Sequence, residues 1–372
     1  MDIVLLVGSL AIILVAAELF TNGIEWVGHK LNLAEGAVGS VLAAVATAMP
    51  ETLIPVIAIL GPVIMGGTAT ESAHAVGVGA ILGAPFMLST LAMFVTGTAV
   101  VIFARRGRRT TDMRVNTGVL GRDVAFFIVG YAVAIGTAFL PQEVAWLKWV
   151  AAAALFVLYA VYVRLHFTDA AEESDAEDLA QLHITRVRPQ RTTGRLEVDH
   201  FPGAHSVTGG EPGMGIVIAQ VVLALGLIIV GAQVFVGAVE HLSDVIGLDP
   251  TILALIIAPI ATELPEKFNS VLWVRNGKDT LAMGNITGAM VFQSCLPTVL
   301  GLLFTTWVFT PESAIHFASA AVAFVATILI FGGMLLRGRL SAWTLLIGGP
   351  LYLVYLYLAL FTDLGASAAT LP

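Results

Sequence analysis

Two glutamates stand where a carboxylate is costly. Glu51 and Glu266 each fall inside a long apolar stretch. An ionisable side chain near the middle of a bilayer costs roughly 2.5 to 3.5 kcal/mol on insertion scales, so it normally faces protein or water and has a function. Both residues follow a proline, Pro50 and Pro265. Proline removes a backbone donor and frees the carbonyl four residues earlier, here those of Ala46 and Ala261. Thr47 and Thr262 precede the glutamates by one helical turn, which puts hydroxyl and carboxylate on one face. Hard cations such as Ca2+ take roughly six to eight oxygen ligands, and Na+ uses the same kinds of carbonyl and hydroxyl. The pattern therefore reads as a cation site with Glu51 and Glu266 as its metal ligands. For either copy alone, a kink with the carboxyl bonded to backbone would serve as well; the pair favours the site.

The pattern occurs twice in order. Ala46-Thr47-Ala48-Met49-Pro50-Glu51 and Ala261-Thr262-Glu263-Leu264-Pro265-Glu266 agree at four of six positions. Further along each half, Gly79-Ala80-Ile81-Leu82-Gly83-Ala84 answers to Gly284-Asn285-Ile286-Thr287-Gly288-Ala289. Gly79 and Gly83, like Gly284 and Gly288, have the small-xxx-small spacing that lets helix backbones approach closely, so helix packing is their expected role. Asn285 and Gln293 either complete a coordination shell or hydrogen-bond a neighbouring helix. Lys267, next to Glu266, has two readings. It can pair with Glu263, four residues earlier and in the favourable order, or it can be a built-in cation that alters coupling.

The elements that must position these residues are apolar helices. Of 372 residues, 58% are hydrophobic and 12% charged, against about a quarter charged in soluble chains. Continuous apolar runs of bilayer length point to helices rather than an alternating barrel. Ten spans are expected, near 2–20, 37–64, 73–103, 121–140, 144–167, 212–240, 250–274, 279–308, 313–336 and 341–362. Basic residues gather in every second connection: Lys30; Arg105, Arg106, Arg108, Arg109, Arg114 and Arg122; the linker arginines; Arg275 and Lys278; Arg337 and Arg339. The intervening connections carry no Lys or Arg, and apart from Arg122 and Arg164 at span edges only Lys148 and Lys267 fall inside spans. By the positive-inside rule the basic connections are cytoplasmic and both termini extracytoplasmic. The first span has neither a basic start nor a small-residue cleavage site, so a removed signal peptide is not expected.

Residues 168–211 are the long polar segment. They divide the chain into a first five-helix repeat, 1–167, and a second, 212–372, joined by a cytoplasmic linker. Because each half has an odd number of spans, the second enters the membrane in the opposite sense, the arrangement of inverted-repeat transporters. The fold class is thus an all-α polytopic membrane protein. The acidic run from Asp169 to Asp178 lacks EF-hand spacing and reads as solvated, as do His183, His200 and His205. The lone Cys295 excludes an intrachain disulfide. The net charge of −8 argues against nucleic acid as a partner. The spans show no His-rich metal motif and no paired nucleophile and base, so an enzyme and a cofactor are not expected. The expected partners are inorganic cations and the lipid bilayer.

At these motifs the sequence resembles the cation/calcium exchanger superfamily, in its sodium/calcium exchanger branch, which carries a G-T-S-x-P-E type and a G-N-x-x-G-S-N-x-x-N type motif in each half. The resemblance implies ten helices, inverted repeats and alternating access. It implies that Glu51 and Glu266 are the central acidic ligands and that Thr47 and Thr262 lend oxygens. The chain departs elsewhere. The motif serines are Ala48, Glu263, Ala84 and Ala289; the first Asn is Ala80 in one half and Asn285 in the other; the second Asn is Pro85 and Met290; the last polar position is Leu88 and Gln293. The first half has lost side-chain ligands. The expected function is secondary antiport of Ca2+ or a similar cation against Na+ or H+ at a midplane site. The alternatives are a monovalent cation/proton antiporter and, in a different class, a cation channel or a non-transporting membrane protein. The resemblance and the compact linker suggest a prokaryotic inner membrane.

Overall fold

The computed structural model describes residues 2–30, 48–64, 66–67, 70–169, 182–183, 212–247, 249–275, 277–311 and 313–361. The helices are α1 (Asp2–Lys30), α2 (Met49–Ile64), α3 (Glu71–Met87), α4 (Met93–Arg105), α5 (Thr117–Gly136), α6 (Leu147–Asp169), α7 (Met214–Ile246), α8 (Pro250–Arg275), α9 (Asp279–Phe304), α10 (Ala314–Arg337), α11 (Ala342–Leu345) and α12 (Gly348–Phe361). A π-helical turn, Leu88–Ala92, joins α3 to α4.

Among the described residues, eight stretches are long and apolar enough to cross a membrane: Ile3–Ile24, Glu71–Arg105, Thr117–Phe139, Leu147–His166, Met214–Ile246, Asp279–Phe304, Ala314–Arg337 and Ala342–Phe361. Two shorter apolar stretches, Glu51–Ile64 and Pro250–Pro259, lie in the two helices that carry the glutamates. The chain is a polytopic, helical membrane protein.

α9 forms the centre. In its most apolar window 83% of residues are buried, against 17% in α6, which turns large apolar side chains such as Trp149 and Val157 outward. Outward apolar surface on a peripheral helix suits a lipid solvent, where apolar burial against water no longer drives packing. Instead, close backbone approach does. A Cβ on Gly79 would collide with the Thr251 carbonyl, and one on Gly83 would stand 2.6 Å from the Leu255 carbonyl and 2.9 Å from Pro259 Cγ. These two glycines let α3 lie directly on the first turns of α8. Around Gly284 no atom of the described residues comes within 4 Å of such a Cβ, so no close approach is seen there. The segment at the matching offset from Thr251–Pro259, residues 36–44, lies outside the described residues.

The connections sort to two ends. At the arginine-rich end, Asp112 and Met113 pair antiparallel with Ser341 and Leu340 in a two-residue ladder. There Arg109 also forms a bidentate ion pair with Asp279, at 2.6 and 2.7 Å. At the other end, Lys148 Nζ donates to the Trp307 carbonyl at 2.8 Å, Phe309 N donates to the Ala138 carbonyl, and Thr70 Oγ1 donates to Glu240. Lys148 is the second residue of the Leu147–His166 stretch, at its very end. A short 3₁₀ turn, Gln142–Val144, takes up the expected helix start, α6 begins at Leu147, and the ammonium reaches a loop carbonyl.

Candidate cation site

The four helices that carry the repeated motifs are α2, α3, α8 and α9, and every pair among them is in contact. Glu51 lies in the first turn of α2 and is 4% exposed, with both carboxylate oxygens enclosed. Its neighbour Ala48 is also buried, and the Ala48 carbonyl accepts from Thr52 N at 3.2 Å and Thr52 Oγ1 at 2.8 Å. A helix N-terminus carries partial positive charge, which favours an ionised carboxylate in its first turn. Glu51 is thus an enclosed carboxyl in the first turn of α2. Ala46 and Thr47 lie outside the described residues.

In the second half, the α8 backbone runs helical from Pro250 to Arg275, straight through Ala261 and Pro265. The helix therefore does not break at the freed Ala261 carbonyl. The side chains of Thr262, Glu263, Glu266 and Lys267 fall outside the described residues. The start of α8 is well defined. Asp249 is its N-cap, with Oδ1 accepting from Thr251 N at 2.7 Å and Ile252 N at 3.3 Å, and Pro250 fills the first helical position, where no donor is needed. His316 Nε2, in the first turn of α10, lies 3.3 Å from the same Oδ1.

On α9, Asn285 and Gln293 are buried, at 7% and 2% exposure. Gly288 is buried beside them in the same helix. Ala84 on α3 and Leu88 just after it are buried and apolar, where the resembling motif is polar. Leu88 opens the π-helical turn, three residues after Pro85. The turn's hydroxyls fold onto their own helix: Ser89 Oγ donates to the Pro85 and Phe86 carbonyls, and Thr90 to Phe86. A π-turn after an interior proline commonly marks a functional stretch of helix, and nothing in residue spacing announced it.

A second polar cluster lies beyond the repeated motifs. Asp123 on α5 is fully buried, Thr287 Oγ1 on α9 donates to its Oδ2 at 2.7 Å, and His166 Nδ1 on α6 lies 4.0 Å from Oδ1. The signal was available: Asp123 stands in an apolar run, as Glu51 does. His183, expected in solvent, instead contacts Glu18 at 3.1 Å and donates its backbone N–H to Asn22, beside a buried Leu182 packed with Trp26 and Val217. Among the described residues, no group of three or more His, Cys, Asp or Glu side chains is placed to hold a metal.

Comparison with known proteins places this arrangement. The crystal structure of the H+/Ca2+ exchanger CAX superposes with a TM-score of 0.67 at 15% identity, covering 99% of this chain and 84% of that one. The sodium-calcium exchanger NCX_Mj superposes at 0.56 and 14% identity, covering 97% and 99%. At these identities the likeness is one of fold. The sodium/calcium exchanger MaX1 of Methanosarcina acetivorans is 27% identical over 124 residues, which are 32% of this chain and 34% of that protein. The chain spans about a third or less of the length of the curated relatives it matches. The description "Sodium/calcium exchanger protein" fits residues 1–168 and 216–361, most of both halves, and the chain belongs to the sodium/calcium exchanger protein family.

Proposed function

We propose that the chain is a secondary active cation antiporter that alternately exposes one site, built from α2, α3, α8 and α9, to the two sides of the membrane. Its cargo is Ca2+ or a similar cation, exchanged for Na+ or H+. One observation carries the reading: an enclosed Glu51 lies on one of four mutually packed helices, and the matching α8 carries Glu266. In such a site opposing ions compete for the same negative oxygens, so binding one accompanies release of the other. The names of its relatives, an H+/Ca2+ exchanger and sodium/calcium exchangers, supply the candidate ions. On this reading Glu51 and Glu266 bind the ion, Thr47, Thr262, Ala46 and Ala261 lend oxygens, and Asn285 and Gln293 complete the second half's shell.

The same reading gives ten spans in two inverted five-helix repeats, 1–167 and 212–372, with 168–211 as a cytoplasmic linker. The arginine-rich end faces the cytoplasm of a prokaryotic inner membrane and both termini face outward. A second reading, a monovalent cation/proton antiporter, draws on the buried apolar Ala84 and Leu88 at positions where the resembling motif is polar.

Reconstituted flux, with Ca2+, Na+ and pH gradients varied separately, tests both. Saturable Ca2+ uptake driven by an opposing gradient is expected, and Glu51→Gln and Glu266→Gln should each abolish it. Full flux in both variants would sink the site. Flux independent of any counter-ion would indicate a channel, and monovalent exchange without Ca2+ would favour the second reading.

A further inference from the structure

We propose that Asp123, His166 and Thr287 form a second proton-binding site, separate from the glutamates, whose proton load sets the hydrogen bonding of α9. A carboxylate with no exposure inside an apolar bundle is costly unless it is neutralised or paired. Asp123 has one oxygen bonded, Oδ2 to Thr287 Oγ1, while Oδ1 accepts no hydrogen bond among the described residues. What faces that oxygen is an imidazole 4.0 Å away. The His166 ring packs on Tyr162 at 5.1 Å, and the Tyr162 phenol is turned to the same carboxyl. The His166 side chain keeps 11% exposure where that of Asp123 has none, so the imidazole is the way in for a proton from the arginine-rich end. The other ionisable groups around the carboxyl are few. Arg122 lies on α5 itself, Arg164 on α6 is exposed, and α10, also packed on α5, carries its ionisable His316 and Arg337 near its two ends.

The link to α9 runs through one hydroxyl. Thr287 Oγ1 lies 2.7 Å from Asp123 Oδ2 and 3.0 Å from the Met283 carbonyl, one turn back on its own helix. A hydroxyl has a single proton to donate and can also accept. With Asp123 ionised, Thr287 donates across to α5. With Asp123 protonated, the acid donates to Thr287 Oγ1, and Thr287 is released to donate to Met283. One proton thereby exchanges an interhelical bond accepted from α9 for one donated to it, and closes a bond within the helix that also carries Asn285 and Gln293. The consequence for transport rests on the exchanger reading; the proton site itself does not.

Two measurements on the full-length protein test this. The first is infrared titration of the protein in detergent. A carboxylic-acid carbonyl band should be present at low pH, vanish as pH rises and be missing in Asp123→Asn, while His166→Gln should move its loss to higher pH by removing a cationic partner. A spectrum of Asp123→Asn that superposes on wild type overturns the site, and an unshifted band in His166→Gln overturns the pairing. The second is the pH profile of reconstituted cation exchange. Asp123→Asn should lose one limb of the profile, and Thr287→Val should keep the infrared band yet lose the same limb. Profiles identical to wild type, with the band intact, overturn the link to α9. Absence of flux in wild type would refute the exchanger reading and leave the infrared result to decide the proton site.

Discussion

Asp279→Ala should destabilise the protein by about 3–5 kcal/mol, the usual cost of stranding one partner of a buried ion pair. Asp279 opens α9 with a side chain 1% exposed, and its partner Arg109 is 10% exposed. The carboxylate accepts three donors: Arg109 Nη1 at 2.6 Å, Arg109 Nη2 at 2.7 Å and the Arg114 backbone N–H at 2.7 Å. Arg109 Nη1 also donates to the Val274 carbonyl at the end of α8, at 2.6 Å. The segment between α4 and α5 is thus fastened to the α8–α9 turn, and through its ladder with Leu340–Ser341 to the end of α10. Removing the carboxylate leaves a guanidinium without its counter-charge and a backbone donor without its acceptor, so the cost belongs near the upper part of the range. Arg109→Lys keeps the charge but loses the planar fork, and should cost less than Arg109→Ala. Thermal unfolding of detergent-solubilised protein, read by tryptophan fluorescence, measures the series. The double-mutant cycle should give coupling above about 1 kcal/mol, nearly insensitive to salt. Single-variant costs below about 1 kcal/mol with coupling near zero, as for exposed pairs, would refute the argument.

Two further outcomes follow from the packing of α8. Gly83→Ala should cost about 1–3 kcal/mol by overpacking, because its Cβ meets the Leu255 carbonyl at 2.6 Å; Gly136→Ala, with open space around its Cβ, is the control. Equal melting of the two variants would mean that α3 and α8 can separate freely. At the N-terminus of α8, burial opposes ionisation of Asp249, but hydrogen bonding and charge from His316, with hydrogen bonds from Thr251, outweigh it and hold the carboxyl below its ordinary value of 3.8. A depressed acid contributes stability that is full above the ordinary value and is lost as pH falls through the folded one. Asp249→Ala should therefore cost about 0.5–2 kcal/mol near neutrality, the range for an N-cap. Asp249→Asn, which can still cap, should cost less, and its deficit should shrink as the solution is acidified. A deficit that grows on acidification would reverse the sign and reject the assignment.

The repeated Thr-x-x-Pro-Glu motif and the hydropathy pattern were legible because both are local properties of the chain. The packing role expected for Gly79 and Gly83 was legible too, but the helix they meet, α8, is seen only in the structure. Lys148 shows where locality fails. Its place at the start of α6 depends on the 3₁₀ turn before it and on a carbonyl at Trp307, distant in sequence. The π-helical turn at Leu88 is similar, because which backbone bonds form after Pro85 is settled by packing and not by composition. Asp123 is the instructive case. The cost of a carboxylate in an apolar run marks it as surely as Glu51. What spacing withholds is its company, because His166 and Thr287 come from two other helices.

Charge balance connects these features to the choice of ion. If Glu51 and Glu266 share one site as proposed, two ionised carboxylates would leave a net charge of about −2 in a medium that penalises even one. A divalent cation cancels it, and so do two protons, whereas one Na+ leaves the site short. Electroneutral exchange of Ca2+ for protons would therefore keep the site balanced in both loaded states. Lys267 changes the sum only if its ammonium serves Glu266 rather than Glu263, four residues before it. Paired with Glu263, it leaves the divalent count intact; given to Glu266, it reduces the demand to one positive charge and makes a monovalent cargo sufficient. The loss of polar residues at Ala84 and Leu88 points the same way as the second case, since a smaller oxygen set suits a smaller charge. Net charge movement is zero in both cases, so the number of protons exchanged per cation in the reconstituted system, two in the first case and one in the second, is what separates the two transport readings.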